Sequence, residues 1–256
     1  MFTRAIVRPP GPHFQDGLTT VNLGIPDVAL ALKQHEQYCQ TLLQCGLNLI
    51  RLPANDGFPD STFVEDVAVI TPRGCILTLP GAASRAGEVA TIKETLTDYF
   101  PDLFQIEAPG TLDGGDICDA DGHYFIGISK RTNEAGAQQL ADILLGMGYS
   151  TSMIDVRDIP TILHLKTGMT WLGDGRLAVN EVLAGHPALQ GYELIHTVVG
   201  EEYAANCIRV NDDLIIAAGF PVFEKAVLAL GYRVILVGMS EFSKQDGGLS
   251  CLSLRF

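Results

Sequence analysis

The sequence predicts an α/β ring of five strand–strand–helix–strand units, on three observations. Helical patterns recur along the chain, each followed by a short apolar or β-rich run. Pairs of apolar runs joined by turn residues lie between them, and one such pair is divided between the two termini. The units recur at roughly 45–50 residues, a period typical of repeat arrays and propellers. The same pattern also allows an ordinary mixed α/β sheet.

Taken in order, apolar residues at helical spacing predict helices over Val28–Cys45, Ser84–Phe100, Thr132–Met147 and Pro221–Leu230, with a weaker one over Glu181–Gln190. Strands are predicted after them at Asn48–Leu52, Phe104–Ala108, Thr151–Val156, Glu193–Val198 and Arg233–Val237. Four hairpins fall between: Val67–Ile70 with Cys75–Leu79, Ile117–Ala120 with His123–Ile126, Met169–Leu172 with Arg176–Val179, and Cys207–Val210 with Leu214–Ala217. Asp121-Gly122 and its counterparts are strong hairpin turn signals. The fifth pair is Phe2–Val7 with Cys251–Phe256, so the ring would be closed by the termini.

The chain has 256 residues, of which 47% are hydrophobic, so a large core is within reach. With no linker or low-complexity stretch, one domain over residues 1–256 is expected. No apolar run approaches the roughly 18 residues of a membrane helix. The N-terminal segment MFTRAIVRPP lacks a signal-peptide core, so a cytoplasmic location is expected. A net charge of −13 argues against nucleic acid, which needs a basic footprint. It would suit a small cationic substrate, but an acidic surface also serves solubility alone. The six cysteines form no CxxC pair, so neither a zinc ribbon nor a redox dithiol is indicated.

Polar residues gather at the hairpin starts, where a buried strand entrance would otherwise be apolar: Glu65 and Asp66, Asp113 and Asp116, His164, Asn206, and Ser250 with Cys251. Buried polar groups need partners, so a shared site on the ring axis is the natural expectation. Singly, each has a plainer reading. Cys251 reads as a buried strand cysteine, His164 as a satisfied core residue, and Asp113 in Gly110-Thr-Leu-Asp-Gly-Gly-Asp116 as a turn cap. The Gly247-Gly248 pair before Cys251 would let a ligand or another backbone approach closely.

Read together, Asp16-Gly-Leu-Thr19, Phe58-Pro-Asp-Ser61, Phe63-Val-Glu-Asp66, Thr111-Leu-Asp-Gly-Gly-Asp116, Ser129-Lys-Arg-Thr-Asn133, His164-Leu-Lys-Thr167, Tyr203-Ala-Ala-Asn-Cys207 and Asp246-Gly-Gly-Leu-Ser-Cys251 resemble the dimethylarginine dimethylaminohydrolases. This family belongs to the guanidine-modifying superfamily of five-bladed α/β (pentein) propellers, and the resemblance runs over nearly the whole chain. It implies a hydrolase that converts asymmetric dimethylarginine and monomethylarginine to citrulline, with no cofactor and no resident metal. It further implies Cys251 as nucleophile, His164 as general acid and base, and Asp113 as its orienting acid. A guanidinium carbon is a poor electrophile, and a thiolate is the strongest side-chain nucleophile near neutral pH. Zinc would suit Cys251 and His164 as an inhibitor, since it binds thiolate and imidazole well.

The resemblance carries other positions over one by one. Glu65 and Asp66 would hold the guanidinium, and Phe63 would pack against it. Asp60 would take the substrate α-amino group, and Arg85 and Arg131 its α-carboxylate. Leu18 would offer a backbone carbonyl from a lid over Gly11–Gly24, and Gln245 a backbone contact, where the family often has an aliphatic residue. Close bacterial relatives often have Glu where this chain has Asp113, which shortens the reach of that side chain. The implied partner is a small methylated arginine, with neither nucleic acid nor membrane, and a monomer or homodimer is expected.

The rival readings are an arginine deiminase, an amidinotransferase, an amino-acid sensor and the non-catalytic propeller of translation factor six. Deiminases usually carry an inserted helical domain and an Asp two residues after the His. This chain has no room for the insert and has Lys166 at that position, which fits a methylated substrate better than arginine. The intact Cys251, His164 and Asp113 set argues against the two non-catalytic readings.

Overall fold

The structure, a computed structural model, describes residues 1–256. It contains five sheets of three strands each. In chain order after the N-terminus these are Ala68–Thr71, Gly74–Leu77 and Leu103–Gln105; Ile117–Ala120, His123–Ile128 and Ser150–Asp155; Met169–Gly173, Arg176–Val179 and Glu193–His196; and Ile208–Val210, Asp213–Ala217 and Arg233–Val237. The remaining sheet orders Leu254–Arg255, Arg4–Val7 and Asn48–Arg51. Every sheet has one antiparallel and one parallel pairing, with a crossover before the parallel strand. The expected repeat is therefore the folding unit, and the chain ends close the ring through Ala5 opposite Arg255 and Ile6 opposite Leu254.

The hairpin turns follow from their residues. Asp121 at φ 58° and Asn211 at φ 56° occupy the left-handed region, which Asp and Asn tolerate better than other side chains. Two of the long helices begin where a cap is available. Asp27 accepts from the Ala29 and Leu30 amides, and Asn133 accepts from the Gly136 amide, so the helices run Val28–Gln44 and Glu134–Gly146. The second predicted helix is shorter than its periodicity suggested, at Glu88–Thr97, because a separate turn at Ala83–Arg85 precedes it. The weak pattern over Glu181–Gln190 splits into a helix Glu181–Ala184 and a 3-10 turn Pro187–Leu189. Gly185 and Pro187 interrupt it, since proline offers no amide to continue the ladder.

Candidate active site

Each hairpin is entered through a short turn. The turns are Val64–Val67, Gly114–Asp116, Leu165–Gly168 just after His164, Glu202–Ala205 just before Asn206, and Ser250–Leu252. They pack in succession: the 250–252 turn on 64–67, that on 114–116, that on 165–168, and that on 202–205. Asn206 and Ser250 close the circle by hydrogen bonds. The polar residues singled out at the hairpin starts are thus brought together at one end of the ring, and all are buried. One expectation changes: Cys251 lies on a 3-10 turn, and the terminal strand begins only at Leu254. Its amide donates to Gly248 O at 3.2 Å, which bends the chain before it extends.

His164 Nε2 lies 3.0 Å from Asp113 Oδ2. Asp113 is fully buried, and its other oxygen accepts from the Gly81 amide at 2.8 Å. Behind it, Thr132 Oγ1 accepts from the Asp113 amide at 3.1 Å and donates to Asp116 Oδ2 at 2.6 Å. Asp116 also accepts from Ser129 Oγ at 2.7 Å and from the Leu165 amide at 2.9 Å, which pins the backbone beside His164. Thr132 and Ser129 had no role in the sequence reading, although both stand in the Ser129–Asn133 stretch that supported the resemblance. Burial raises the Asp116 carboxyl to about 6, against the opposing pull of His164 and the two hydroxyls.

Burial also disfavours the charged form of His164, but Asp66, the Asp113 hydrogen bond and Asp116 outweigh it, and its pKa rises to about 9. Gly115 makes this proximity possible, because a Cβ there would sit 2.8 Å from His164 Nδ1 and 2.9 Å from Asp66 Oδ1. Asp66 accepts from the Gly115 amide at 2.9 Å and pairs with Arg85 Nη1 at 2.5 Å. Despite burial, Arg85 and His164 hold its carboxyl down to about 2. The rest of the Arg85 guanidinium is committed too. Nε and Nη2 meet Glu88 at 3.0 and 2.8 Å, and Nη2 also donates to the Phe63 carbonyl at 3.1 Å.

Glu65 points elsewhere. Its Oε1 pairs with Lys166 Nζ at 2.5 Å, and its Oε2 accepts from Ser250 Oγ at 2.7 Å. The two carboxylates expected to hold the guanidinium thus have different partners: Glu65 is paired with Lys166, and Asp66 lies beside His164. Lys166 is thus the partner of Glu65 and does not stand across the site from it. Cys251 is 9% exposed, and its Sγ accepts from the Gly248 amide at 3.4 Å. Burial, then Glu65 and Asp66, push its thiol up to about 12 against the opposing Gly248 amide and Lys166.

The remaining expected residues surround this centre. Asp60 is buried and accepts from the Leu18 amide at 3.0 Å. Leu18 is 40% exposed on the Gly11–Gly24 segment. That segment is fastened to the stretch before Cys251 by Thr20, whose amide and Oγ1 donate to Asp246 at 2.5 and 3.1 Å, and by Thr19 Oγ1, which donates to Lys244 O at 2.9 Å. Phe63 packs edge-on to Phe14 and Phe242. Gln245 Nε2 donates to Gln15 O at 3.3 Å, and its Oε1 is buried without a partner. Arg131 is partly exposed, and its charge opposes the rise that burial imposes on the Asp60 carboxyl. Asp66, Asp113 and His164 bring possible ligand atoms within 4.8 Å of one another.

At neutral pH this arrangement presents a neutral buried thiol, an imidazolium and an anionic Asp66. A cation bound there would favour the thiolate, and the imidazolium has a proton to give.

No family model matches the sequence. The chain is 44% identical to the N(G),N(G)-dimethylarginine dimethylaminohydrolase of Pseudomonas aeruginosa over 257 residues, covering 100% of both. It is 34% identical to the Streptomyces coelicolor protein of the same name, over 98% of this chain and 96% of the other. The fold superposes on a mutant of the Pseudomonas aeruginosa enzyme complexed with citrulline, with a TM-score of 0.97 at 44% identity over 100% of both chains. It superposes equally on a mutant dimethylarginine dimethylaminohydrolase adduct with S-methyl-L-thiocitrulline. The product-bound N-terminal domain of ArgZ, an arginine dihydrolase, shares the fold alone, with a TM-score of 0.89 at 18% identity.

Proposed function

The chain belongs to the dimethylarginine dimethylaminohydrolase family, and we propose that it converts asymmetric dimethylarginine and monomethylarginine to citrulline through a covalent adduct on Cys251. The observation that carries the reading is the His164–Asp113 pair beside Asp66, in the ring of turns that also holds Cys251. The substrate guanidinium enters next to Asp66, whose carboxylate keeps acceptor sites beyond those used by Gly115 and Arg85. Its positive charge lowers the cost of ionising Cys251, and the thiol proton passes to solvent as substrate binds.

The Cys251 thiolate adds to the guanidinium carbon. His164 donates the proton of Nδ1, the ring nitrogen not bound to Asp113, to the departing dimethylamine or methylamine, while Asp113 on Nε2 keeps the ring oriented and stabilises its charge. The carbon remains bonded to Cys251 as an S-alkyl thiouronium. His164, now neutral, takes a proton from water as the water oxygen adds to that carbon. The C–S bond then breaks, citrulline departs and the thiol is restored.

Asp60 would receive the substrate α-amino group and Arg131 its α-carboxylate, with Leu18 and Gln245 contributing backbone contacts and Phe63 apolar surface. Arg85 is assigned to hold Asp66 in place, with any contact to the carboxylate secondary to that, since its guanidinium is engaged by Asp66, Glu88 and the Phe63 carbonyl. Residues 1–256 act as one catalytic domain, because all five units contribute to the ring of turns. The six free cysteines suit the reducing cytoplasm. The test is a citrulline assay on asymmetric dimethylarginine, monomethylarginine and arginine in parallel. Turnover of arginine alone would overturn the reading.

A further inference from the structure

We propose that Asn206 is a positioning residue for this reaction, tying the backbone that carries His164 to the backbone that carries Cys251. Its Nδ2 donates to the Lys166 carbonyl at 2.9 Å, two residues beyond His164, and to Ser250 Oγ at 3.1 Å. Its Oδ1 accepts from the Ser250 amide at 3.0 Å, one residue before Cys251. Asn206 is 6% exposed, so these bonds are made away from water, where a lost partner leaves a buried polar group unpaired. Ser250 Oγ passes the link on to Glu65, and Glu65 returns it to Lys166. The result is a closed hydrogen-bonded ring through three of the five entrance turns and Asn206.

The chemistry of the ring requires a carboxamide. The position needs a donor for one carbonyl and one hydroxyl and an acceptor for one amide, and among side chains of this size only asparagine offers both. The packing is equally specific, because a Cβ on Gly248 would run into the Asn206 side chain. Gly248 is also the residue whose amide donates to Cys251 Sγ. Asn206 therefore holds the nucleophile's turn in two ways: directly through Ser250, and by close packing against the residue that hydrogen-bonds the sulfur.

Asn206 also closes the circle of turns. The packing of the five turns runs from Ser250–Leu252 round to Glu202–Ala205, and the Asn206–Ser250 hydrogen bonds join its two ends. Without them the Cys251 turn loses its direct tie to the backbone beside His164 and keeps those through Glu65, through Tyr203 Oη on the Gly247 carbonyl at 2.6 Å, and through the terminal strand. A misplacement of about 1 Å between reacting groups costs on the order of 100-fold in rate.

The proposal rests on the assignment of Cys251 and His164, so its test pairs an assay of turnover with one that needs no substrate. Asn206→Ala is expected to lower kcat on asymmetric dimethylarginine by about 10- to 100-fold with KM within about threefold of wild type. The pH profile of Cys251 alkylation by iodoacetamide should move in the same variant, because Glu65, Asp66 and Lys166 are the charged groups acting on the thiol and the turn would shift relative to them. Asn206→Asp keeps the shape, loses both donors and adds a negative charge, so its alkylation profile should move to higher pH. If Asn206→Ala does not fold, the isosteric Asn206→Asp carries the test alone. Wild-type kcat and an unmoved alkylation profile in a folded Asn206 variant would overturn the proposal. In a variant that folds, a loss of activity that disappears when rates are expressed per folded molecule would also overturn it. Wild-type protein that alkylates at Cys251 but makes no citrulline would count against the substrate reading and not against Asn206.

Discussion

Asp113 Oδ2 lies 3.0 Å from His164 Nε2 in a site where Asp113 is fully buried and its second oxygen is held by the Gly81 amide. The carboxylate cannot rotate away without losing that amide, so the imidazole has one fixed partner. Together with Asp66 and Asp116, this pairing keeps His164 charged up to about 9 despite its burial.

A pH dependence follows. With the imidazolium as the proposed proton donor to the leaving amine, kcat/KM, which reports the free enzyme, should fall as pH rises through about 9. Asp113→Asn removes one source of the raised pKa and should bring that alkaline limb to lower pH, at a smaller loss of rate than His164→Ala, which should cost several orders of magnitude. The same shift acts on stability. The folded pKa is above the usual imidazole value of about 6.5, so the contribution is fully present below that pH and is lost as pH rises through about 9. Rate profiles of both variants and wild type measure it, and an unchanged limb in Asp113→Asn would remove Asp113 from the mechanism.

Cys251→Ser should abolish citrulline formation and leave the fold intact, because a serine hydroxyl is scarcely ionised in this buried, anionic setting. Ser or Ala at Cys39, Cys45, Cys75, Cys118 or Cys207 should largely keep activity, with some loss of stability, since all five are buried. Near-normal turnover by Cys251→Ser would exclude the covalent route.

Arg85 and Arg131 should behave differently. Arg85→Ala leaves Asp66 and Glu88 buried without their cation and should destabilise by about 3–5 kcal/mol. At about 2–4 °C per kcal/mol for a chain of this size, a thermal melt would read that plainly. Arg131→Ala should leave the melting temperature close to wild type and raise KM for the amino-acid substrate. The reverse pattern would return Arg85 to the substrate and Arg131 to the scaffold.

Substrate choice is expected to favour methylation. Lys166 neutralises Glu65, so Asp66 is the carboxylate left to receive guanidinium N–H groups beside His164. Arginine would bury additional donors without acceptors, at about 1–3 kcal/mol each. Asymmetric dimethylarginine is spared two of them, roughly two to four decades in kcat/KM over arginine, and monomethylarginine one of them, roughly one to two decades. Symmetric dimethylarginine should be poor, since a methyl group would face Asp66. Initial rates on all four compounds with one preparation decide it, and equal rates on arginine would point to deiminase chemistry.

The Gly11–Gly24 segment is held by Asp246, which accepts both the amide and the hydroxyl of Thr20. Asp246→Ala should loosen residues 11–24, raise KM several-fold and speed proteolysis of that segment, with kcat less affected. Proteolysis at the wild-type rate with unchanged KM would show that the latch is dispensable.

The repeat was legible because strand alternation, helical spacing and turn residues are local. Asp121-Gly122 makes its hairpin and Asp27 caps its helix with neighbours only a few residues away. Even the closure of the ring by Arg4–Val7 and Leu254–Arg255 could be inferred from one unpaired run at each end. The proposed catalytic set came from the resemblance carried by short motifs, and no periodicity would have distinguished His164 from an ordinary core histidine. The Glu65–Lys166 pair, the commitment of Arg85 to Asp66 and Glu88, and the Asn206 bridge were not legible. Each joins residues from different units, and neither residue type nor spacing says which buried charge faces which. The protonation states lay equally out of reach: a raised His164 and a raised Cys251 arise from burial weighed against charges on other turns, and only the folded ring brings those charges within range.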